Sequence, residues 1–359
     1  MSAGRKKILF IIPALRNGGT EKVAYTLFNN LDDKKFNKIF LILDRVYSEN
    51  FTLSKDFVEL HKPNVLQSAL TLRREINAQK PDIIVGFIDH LNVLLALFKK
   101  LRFIKATLIL RSSVVLSDYL VSQKKRHISL LSHLFYKTAD LIICQSKYMM
   151  QDFKNNFGVS DDQLRLLYNP IDLNHLTRRG DEAMPISFHK NRFNLVAVGN
   201  LRKEKSYLRM IEGFALLKKD KFHLYIVGEG VMRNEIEGRI KELQLEASIT
   251  LLGNVENPLP IIKNADLFIT SSSIEGYSNS VIEAFCFEKP VIAFADLPGV
   301  AELVQDGENG FLATSSAGYA ACIEKASVME FNREAFRFIL QRHELKTCMS
   351  EFNKILLNA

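Results

Sequence analysis

Two glutamates, Glu275 and Glu283, stand eight positions apart in the segment Glu-Gly-Tyr-Ser-Asn-Ser-Val-Ile-Glu. An apolar run typical of a strand precedes the first glutamate, and the second lies in a pattern typical of the first turns of a helix. The backbone N–H groups of Gly276, Ser278 and Asn279 could point at an anion between them. Amides for a diphosphate and carboxylates for sugar hydroxyls would suit a nucleotide sugar.

Positive charge collects in a turn of the second half, between Gly199 and Ser206. This turn carries Arg202, Lys203 and Lys205 directly after a predicted strand. Charge-assisted hydrogen bonds to a diphosphate are worth about 1.5–3 kcal/mol each. A solvated charged turn is the alternative, and the position at a strand end favours a ligand site. Gly228, at the end of the next predicted strand, would let a base or ribose lie against the backbone.

A glycine pair, Gly18 and Gly19, follows the first predicted strand and opens a helix. Paired glycines let the backbone approach a ligand closely, and a helix N-terminus favours anions. The surrounding sequence is not the Gly-x-Gly-x-x-Gly dinucleotide fingerprint, which disfavours a Rossmann dehydrogenase. A plain strand-to-helix turn is the alternative interpretation.

The elements that must position these residues alternate along the chain. Apolar, β-branched runs predict strands at Ile8–Ile12, Ile39–Leu43, Ile83–Phe87, Ala106–Leu110, Leu141–Cys144, Leu195–Gly199, Phe222–Gly228, Ser248–Leu252, Leu267–Ser271 and Val291–Phe294. Amphipathic helical patterns lie between them, which indicates parallel sheets covered on both faces. The predicted fold class is α/β, with two Rossmann-like doubly wound domains. Ligands bind at the carboxyl ends of strands in such sheets.

Domain boundaries follow from where this alternation stops. At 359 residues the chain has room for two domains. We expect an N-terminal domain over 1–170, a linker rich in charge, Pro and Gly over 171–190, a C-terminal domain over 191–335 and a C-terminal helical segment over 336–359. The stretch 306–312 predicts a hairpin-like turn.

Charge and composition narrow the class of partner. The net charge is +8, and residues 98–140 hold nine Lys or Arg against two acids, with apolar residues between them. This basic amphipathic region predicts contact with an anionic membrane surface, and a solvated basic face on two helices is the alternative. Nucleic-acid signatures are missing, which excludes that class of partner. Four cysteines without a Cys-x-x-Cys pair and no run long enough to span a membrane predict a cytoplasmic protein.

The segment Ser271–Ala284 resembles the E-x7-E signature of the retaining glycosyltransferases of family 4, which have the two-domain GT-B fold. Val198–Lys205 looks like the family's phosphate-binding turn, and Gly18–Glu21 looks like its N-terminal glycine loop. The resemblance implies that the two Rossmann-like domains face a cleft and that a C-terminal helix packs back toward the N-terminal domain. The resemblance is to family members of the type found in bacterial polysaccharide and lipid-linked glycan assembly.

This resemblance implies transfer of a sugar, with retained configuration, from a nucleoside-diphosphate sugar to a hydroxyl of a glycan or lipid-linked acceptor. Uridine is expected as the base because of its frequency in the family. Glu283 would bind the ribose, Glu275 would contact the donor sugar, and Lys205 with Arg202 would neutralise the diphosphate. The catalytic candidates are thus Glu275, Lys205 and Arg202, and the donor-binding candidates are Gly18, Gly19, Asn200, Gly228, Gly276, Tyr277, Ser278, Asn279 and Glu283. The chain lacks Asp-x-Asp, so neither a metal nor another cofactor is expected.

Two departures from the family pattern concern the walls of the site. Asn200 stands where the family often has Arg, and no His follows the N-domain strand where many members have one. Either Arg111 or Ser112 would occupy that place, and the pair Asp89-His90 is a second candidate. Two other functions stay open: another GT-B enzyme such as a nucleotide-sugar epimerase, and a non-catalytic carbohydrate-binding protein.

Overall fold

A computed structural model of the chain describes residues 5–16, 18–44, 51–52, 56–122 and 126–359, with 126–129 described by their backbone alone. The chain divides into two compact units. Unit 1 runs to Pro170 and also includes Leu345–Ala359, while unit 2 is Ile171–Glu344. Each unit is a parallel sheet covered by helices, which confirms the predicted α/β class with two Rossmann-like domains.

Unit 1 alternates strands and helices along its sequence. Its elements are β1 (Lys6–Ile12), α1 (Gly19–Asn29), β2 (Phe36–Ile42), β3 (Phe57–Glu59), α2 (Val65–Gln79), β4 (Ile83–Phe87), α3 (Asp89–Lys100), β5 (Thr107–Arg111), α4 (Leu116–Ser122), α5 (Arg126–Phe135), β6 (Leu141–Cys144), α6 (Lys147–Phe157) and β7 (Leu164–Leu166). The seven parallel strands lie in the order β3-β2-β1-β4-β5-β6-β7.

Unit 2 continues the same alternation. Its elements are α7 (Leu173–Gly180), β8 (Phe193–Val198), α8 (Tyr207–Phe214), β9 (Phe222–Val227), α9 (Arg233–Glu242), β10 (Ile249–Gly253), α10 (Leu259–Asn264), β11 (Leu267–Ile269), α11 (Asn279–Cys286), β12 (Val291–Phe294), α12 (Pro298–Ala301), β13 (Gly310–Ala313), α13 (Ser316–Ala326) and α14 (Arg333–Gln341). The six parallel strands lie in the order β10-β9-β8-β11-β12-β13. The last helix, α15 (Leu345–Asn358), belongs to unit 1.

The core of unit 1 is centred on Phe10 in β1. Its ring is fully buried and stacks on Phe40 and Phe87 of the flanking strands, at centroid distances of 6.0 and 5.6 Å. Phe352 of α15 meets the same ring edge-on at 6.1 Å. The C-terminal helix therefore packs on the first unit, as the family resemblance implied, because its apolar side completes the layer that α1 begins.

The expected linker, 171–190, differs from the structure. Residues Leu173–Gly180 form α7, which packs on α10 of unit 2. Gly180 lies against the ring of Phe287, and the side chain of Asn257 donates to the carbonyl of Arg179 at 2.8 Å. The high polarity of this segment therefore reflects a helix with an exposed charged side rather than a free connection.

Two further expectations differ in detail. The helical segment expected over 336–359 is split between the units, with α14 in unit 2 and α15 in unit 1. The expected turn within 306–312 is present at residues 307–309, where the N–H of Gly307 donates to the carbonyl of Gly310 at 2.8 Å. It leads into the edge strand β13, which runs parallel to β12, so no hairpin forms. Gly310 permits this pairing, because a side chain there would collide with the main chain of Val291.

Two further observations concern the length of the helices and the state of the cysteines. Within the part of the chain that the structure describes, no helix is long and apolar enough to cross a bilayer. All four cysteines lie in the described part of the chain and are thiols outside any disulfide, with Cys144 and Cys348 buried and Cys286 and Cys322 half-buried.

Candidate active site

The strand order of unit 2 reverses between β8 and β11, where one connection leads to β9 and the other to β12. Open parallel sheets bind ligands in the crevice at such a switch point, at the carboxyl ends of the strands. The loops 199–206 and 270–278 follow these two strands. Most of the candidate site residues predicted from the sequence therefore lie at this switch point.

Lys205 and Glu275 meet at this switch point. The Nζ atom of Lys205 lies 3.0 Å from Oε1 of Glu275, and the two side chains are 25% and 16% exposed. Within the described residues, the Oε2 atom of Glu275 is buried and has no hydrogen-bond partner. The pair is thus accessible but incompletely satisfied, because one carboxylate oxygen can still accept a hydrogen bond.

Hydrogen bonds join the two loops beneath this ion pair. The hydroxyl of Ser271 donates to the carbonyl of Lys205 at 2.9 Å. The backbone N–H of Ser273 donates to the carbonyl of Glu204 at 2.8 Å, and the hydroxyls of Ser206 and Ser273 are 3.0 Å apart. These bonds join the backbones of the two loops next to the ion pair. The turn that carries Lys205 is therefore anchored to the loop that carries Glu275.

The glycines of the adjacent turns let the backbones approach closely. Gly228 has a φ of +142°, and a side chain there would collide with the carbonyl of Gly199. The hydroxyl of Tyr207 donates to that same carbonyl at 2.9 Å. Burial raises the pKa of Tyr207, and the negative charge of Glu275 raises it further. Tyr207 therefore stays a neutral hydrogen-bond donor, and Gly228 supports the turn that carries Lys205.

The loop after Glu275 leads into α11. Ser278 precedes this helix, and its hydroxyl lies 3.2 Å from that of Ser280 in the first turn rather than capping a backbone N–H of the described helix. The loop is supported from α12, because a side chain at Gly299 would sit 2.5 Å from the carbonyl of Gly276. Asn279 is the first residue of α11, and Glu283 lies half-buried one turn further on. The helix N-terminus thus lies beside the ion pair, where it would favour a diphosphate.

Tyr277 lies in the same loop, yet its side chain is turned into the protein. The ring is buried, and its hydroxyl lies 3.0 Å from Nε2 of His343. Asn200 and Arg202, in the other loop, are exposed. The structure therefore brings Lys205, Glu275 and the start of α11 together, and it gives Tyr277 a partner that the sequence did not indicate.

Comparisons with known proteins match both halves of the chain. The family profile "Glycosyltransferase Family 4" matches residues 17–175, and "Glycosyl transferases group 1" matches residues 181–337. A Campylobacter jejuni relative is 30% identical over 318 residues, which is 86% of this chain and 86% of the relative. That relative is an N-acetylgalactosamine-N,N'-diacetylbacillosaminyl-diphospho-undecaprenol 4-alpha-N-acetylgalactosaminyltransferase. The chain belongs to glycosyltransferase family 4.

Other relatives agree with this assignment. A second Campylobacter jejuni protein, a GalNAc-alpha-(1->4)-GalNAc-alpha-(1->3)-diNAcBac-PP-undecaprenol alpha-1,4-N-acetyl-D-galactosaminyltransferase, is 25% identical, covering 95% of this chain and 93% of the relative. Anabaena HepE, solved in complex with UDP, aligns with a TM-score of 0.77 at 20% identity, covering 98% of this chain and 100% of HepE. WaaG, involved in lipopolysaccharide biosynthesis, aligns with a TM-score of 0.75 at 15% identity, covering 97% and 99%. These solved structures show the GT-B fold.

Unit 1 of the glycosyltransferase has its own switch point, between β1 and β4. Gly18 precedes α1 there, and Gly19 is the first residue of the helix. The carboxylate of Glu21 folds back over Gly18, so that a side chain at Gly18 would collide with it. Burial raises the pKa of Glu21, while its own backbone N–H and the charge of Arg16 act in the opposite direction. The predicted glycine loop therefore carries a carboxylate of its own at the helix N-terminus.

Asp89 follows β4 at the same edge of the sheet. Ile88 before it has a φ of 73°, which is strained for a β-branched residue. The buried carboxylate of Asp89 accepts hydrogen bonds from the hydroxyls of Ser112 and Tyr136, both at 2.7 Å. Burial raises the pKa of Asp89, and the hydrogen bonds from Ser112 and Tyr136 oppose that rise. This is a closed polar cluster inside unit 1.

Arg111 is the largest polar side chain buried in this glycosyltransferase unit, at 1% exposure. Its Nη2 atom donates to the side-chain oxygen of Asn169, and within the described residues its Nε and Nη1 atoms have no partner. Burial lowers the pKa of Arg111 to about 10. Among the candidates for the missing histidine position, Arg111 and Ser112 are buried, whereas His90 is exposed.

A groove of ≈ 760 Å³ opens at the other end of the unit 2 sheet. Phe193, Asp266 and Pro290 line it at the starts of β8, β11 and β12. Glu288 and Arg333 form an ion pair of 3.2 Å at its wall. The glycosyltransferase signature residues lie at the opposite, carboxyl ends of the strands, so this groove does not contain them.

Sequence reasoning missed the supporting residues of the glycosyltransferase site. Tyr207 and Ser271 follow strand ends, and that position was the available signal for them. His343 stands 66 residues from its partner Tyr277, outside any motif. No local pattern could have indicated that contact.

Proposed function

We propose that this glycosyltransferase moves a sugar from a uridine-diphosphate sugar to a hydroxyl of a lipid-linked glycan, without a metal ion and with retained configuration. The observation that carries the proposal is the Lys205–Glu275 ion pair at the unit 2 switch point. The two Campylobacter relatives are transferases to undecaprenol-linked glycans, which supports a lipid-linked acceptor, and the UDP bound to HepE supports the nucleotide.

Donor binding would exchange the partners of this ion pair. The diphosphate would take over the ammonium group of Lys205, helped by Arg202 and by the N–H groups at the start of α11. Glu275 would then be released to accept hydrogen bonds from the donor sugar, and its Oε2 atom has no other hydrogen-bond partner within the described part of the chain. Glu283 would bind the ribose hydroxyls. Each residue thereby acts on a different part of the donor.

The chemical step needs stabilisation of the charge that develops on the leaving diphosphate. A fixed cation and backbone dipoles supply this stabilisation in the transition state, which is the basis for proposing metal independence. Glu275, the carboxylate proposed to contact the donor sugar, forms an ion pair with Lys205 and is assigned to binding. We therefore favour front-face displacement, in which the acceptor oxygen attacks from the side that the diphosphate leaves.

Nucleotide release tests the proposal directly. The protein would be incubated with UDP-, GDP- and ADP-sugars, with and without a lipid extract, in EDTA. We expect UDP to appear only when lipid is added. Isomerised free donor without transfer would favour an epimerase, and donor binding without release would favour a carbohydrate-binding protein. Activity that is lost in EDTA and restored by manganese would contradict metal independence.

A lipid-linked acceptor would bring the enzyme to the cytoplasmic face of an anionic membrane. Unit 1 has 28 Lys and Arg against 16 Asp and Glu, while unit 2 has 20 against 24. Unit 1 also exposes apolar side chains in the basic 98–140 region, including Val121 at 79%, Leu130 at 62% and Leu134 at 47%. Basic charge beside exposed leucines is the composition of membrane-surface helices, and we propose that this region contacts the bilayer.

A further inference from the structure

The contact between Tyr277 and His343 ties the donor loop to the end of unit 2. Tyr277 comes two residues after Glu275, and its buried hydroxyl lies 3.0 Å from Nε2 of His343. The two rings are 5.3 Å apart between centroids, at an angle of 31°. The hydrogen bond and the ring contact together fix where the side chain of Tyr277 lies, and with it the backbone that carries Glu275.

His343 is itself a firmly held anchor. It is fully buried, and its backbone N–H donates to the carbonyl of Leu340 at 2.8 Å. Its carbonyl accepts the N–H of Ile171 at 2.7 Å, and Glu344 forms a parallel bridge with Ile171. Ile171 and Glu344 are the first and last residues of unit 2. His343 therefore stands where the two ends of the unit are joined.

The loop that carries Glu275 has two further supports, and each of them contacts a different part of the loop. Lys205 holds the carboxylate of Glu275, and Gly299 lets α12 press against the carbonyl of Gly276. The first support is the one that we propose to be lost when a diphosphate takes Lys205. The bond from Tyr277 to His343 involves neither group, so it would persist when the donor is bound.

We infer that His343 is a positioning residue for the donor sugar, which acts through Tyr277 to hold Glu275 where the sugar hydroxyls reach it. This inference rests on the proposed function, because it assigns Glu275 to the sugar. The nucleotide itself would depend less on the bond, since Lys205 and Glu283 lie on the turn before α8 and on α11.

The test compares the affinities of UDP and of the UDP-sugar for the full chain by titration calorimetry. Tyr277→Phe keeps the ring and removes the hydroxyl. We expect it to weaken UDP-sugar binding about fivefold and UDP binding less than about twofold. His343→Leu should match it, and His343→Gln should recover most of the affinity, because an amide can also bond the hydroxyl.

Tyr225→Phe is the matched control. Tyr225 is a buried tyrosine of β9 whose hydroxyl accepts the N–H of His189 at 3.1 Å, and its loss should leave both affinities unchanged. The double variant Tyr277→Phe/His343→Leu should be no weaker than either single variant, because both remove the same bond.

Three results would overturn the inference: unchanged UDP-sugar affinity in Tyr277→Phe, an equal loss for UDP and UDP-sugar, or additive losses in the double variant. The Tyr277→Phe result decides the question even if His343→Leu fails to fold. Failure of the proposed function would look different, because the unsubstituted protein would then bind no UDP-sugar, or would bind it without releasing UDP when lipid is added.

Discussion

The two switch points of this glycosyltransferase hold carboxylates in opposite states. In unit 2, Glu275 is partly exposed and pairs with Lys205, and its buried Oε2 atom has no hydrogen-bond partner among the residues that the structure describes. In unit 1, Asp89 is buried and accepts hydrogen bonds from Ser112 and Tyr136. Both sites lie at the carboxyl ends of parallel strands, so topology alone does not distinguish them.

This difference in hydrogen bonding indicates which of the two carboxylates can bind a ligand. A carboxylate that already has its hydrogen bonds contributes to the fold, and removing its partners leaves a buried group unsatisfied. A carboxylate with a spare oxygen and an exchangeable ion-pair partner can change partners when a ligand arrives. We therefore expect substitutions at the unit 2 switch point to change turnover and binding, and those at the unit 1 cluster to change stability.

Lys205→Ala should give the largest effect on the unit 2 side of this comparison. Loss of the ammonium group leaves the diphosphate charge without its cation, so turnover should fall by about 10- to 100-fold. An assay of nucleotide release measures this fall in turnover. Lys218→Ala, an exposed lysine of the same unit, is the control and should keep normal turnover. A Lys205→Ala enzyme with nearly normal turnover would remove this residue from the site.

Asp89→Ala should give the largest effect on the unit 1 side. The hydroxyls of Ser112 and Tyr136 would lose their acceptor, so the free energy of unfolding should fall by about 1–3 kcal/mol. Urea unfolding measures this change, and UDP affinity at unit 2 should stay the same. A folded variant of normal stability with weakened UDP binding would reverse the assignment of the two sites.

The pH dependence of stability gives a second test of the structural role of Asp89. Burial raises the pKa of Asp89, so the folded state binds its proton more tightly than the unfolded state does. The stability from this proton is fully present below the unfolded pKa of about 3.9 and is lost as pH rises through the folded pKa. Asp89→Asn cannot titrate and lacks this loss. As pH rises from about 4, the unfolding free energy of the unsubstituted protein should therefore fall relative to that of Asp89→Asn. Parallel stability curves would contradict this.

Glu275→Gln tests the exchange of ion-pair partners. Without a carboxylate to hold it, Lys205 is free for the diphosphate, so UDP should bind about three- to tenfold more tightly while sugar transfer falls. Calorimetry and nucleotide release give the two quantities. Weaker binding of UDP would show that Glu275 supports the nucleotide rather than competing for Lys205.

The smallest effect is expected at the surface of unit 1. Leu130→Glu with Leu134→Glu adds two negative charges to exposed apolar positions and should reduce co-sedimentation with anionic vesicles several-fold. Leu216→Glu, at a 60% exposed leucine of unit 2, is the control and should sediment normally. Equal sedimentation of all variants, or no binding of the unsubstituted protein at low salt, would count against the membrane proposal.

Much of the fold could be predicted from the sequence because its signals are local. Near-continuous apolar runs such as Ile83–Phe87 predicted buried parallel strands, and each of them is a strand of one of the two sheets. The spacing of Glu275 and Glu283 placed one acid in a loop and the other on a helix, as the structure shows. Polar segments were harder to interpret, since 171–190 contains a packed helix and the turn at 307–309 leads into a parallel edge strand rather than a hairpin.

The alternation of strands and helices is encoded locally in the sequence, and it sets the class of fold and the strand ends at which chemistry could occur. The tertiary structure decided which residues meet: Lys205 pairs with Glu275 across 70 positions, and Tyr277 reaches His343 across 66. Periodicity reports only the burial of each residue against its own sheet. Contacts between distant loops depend on strand order, which sets the neighbours at each end of the sheet, and only the folded chain contains that order.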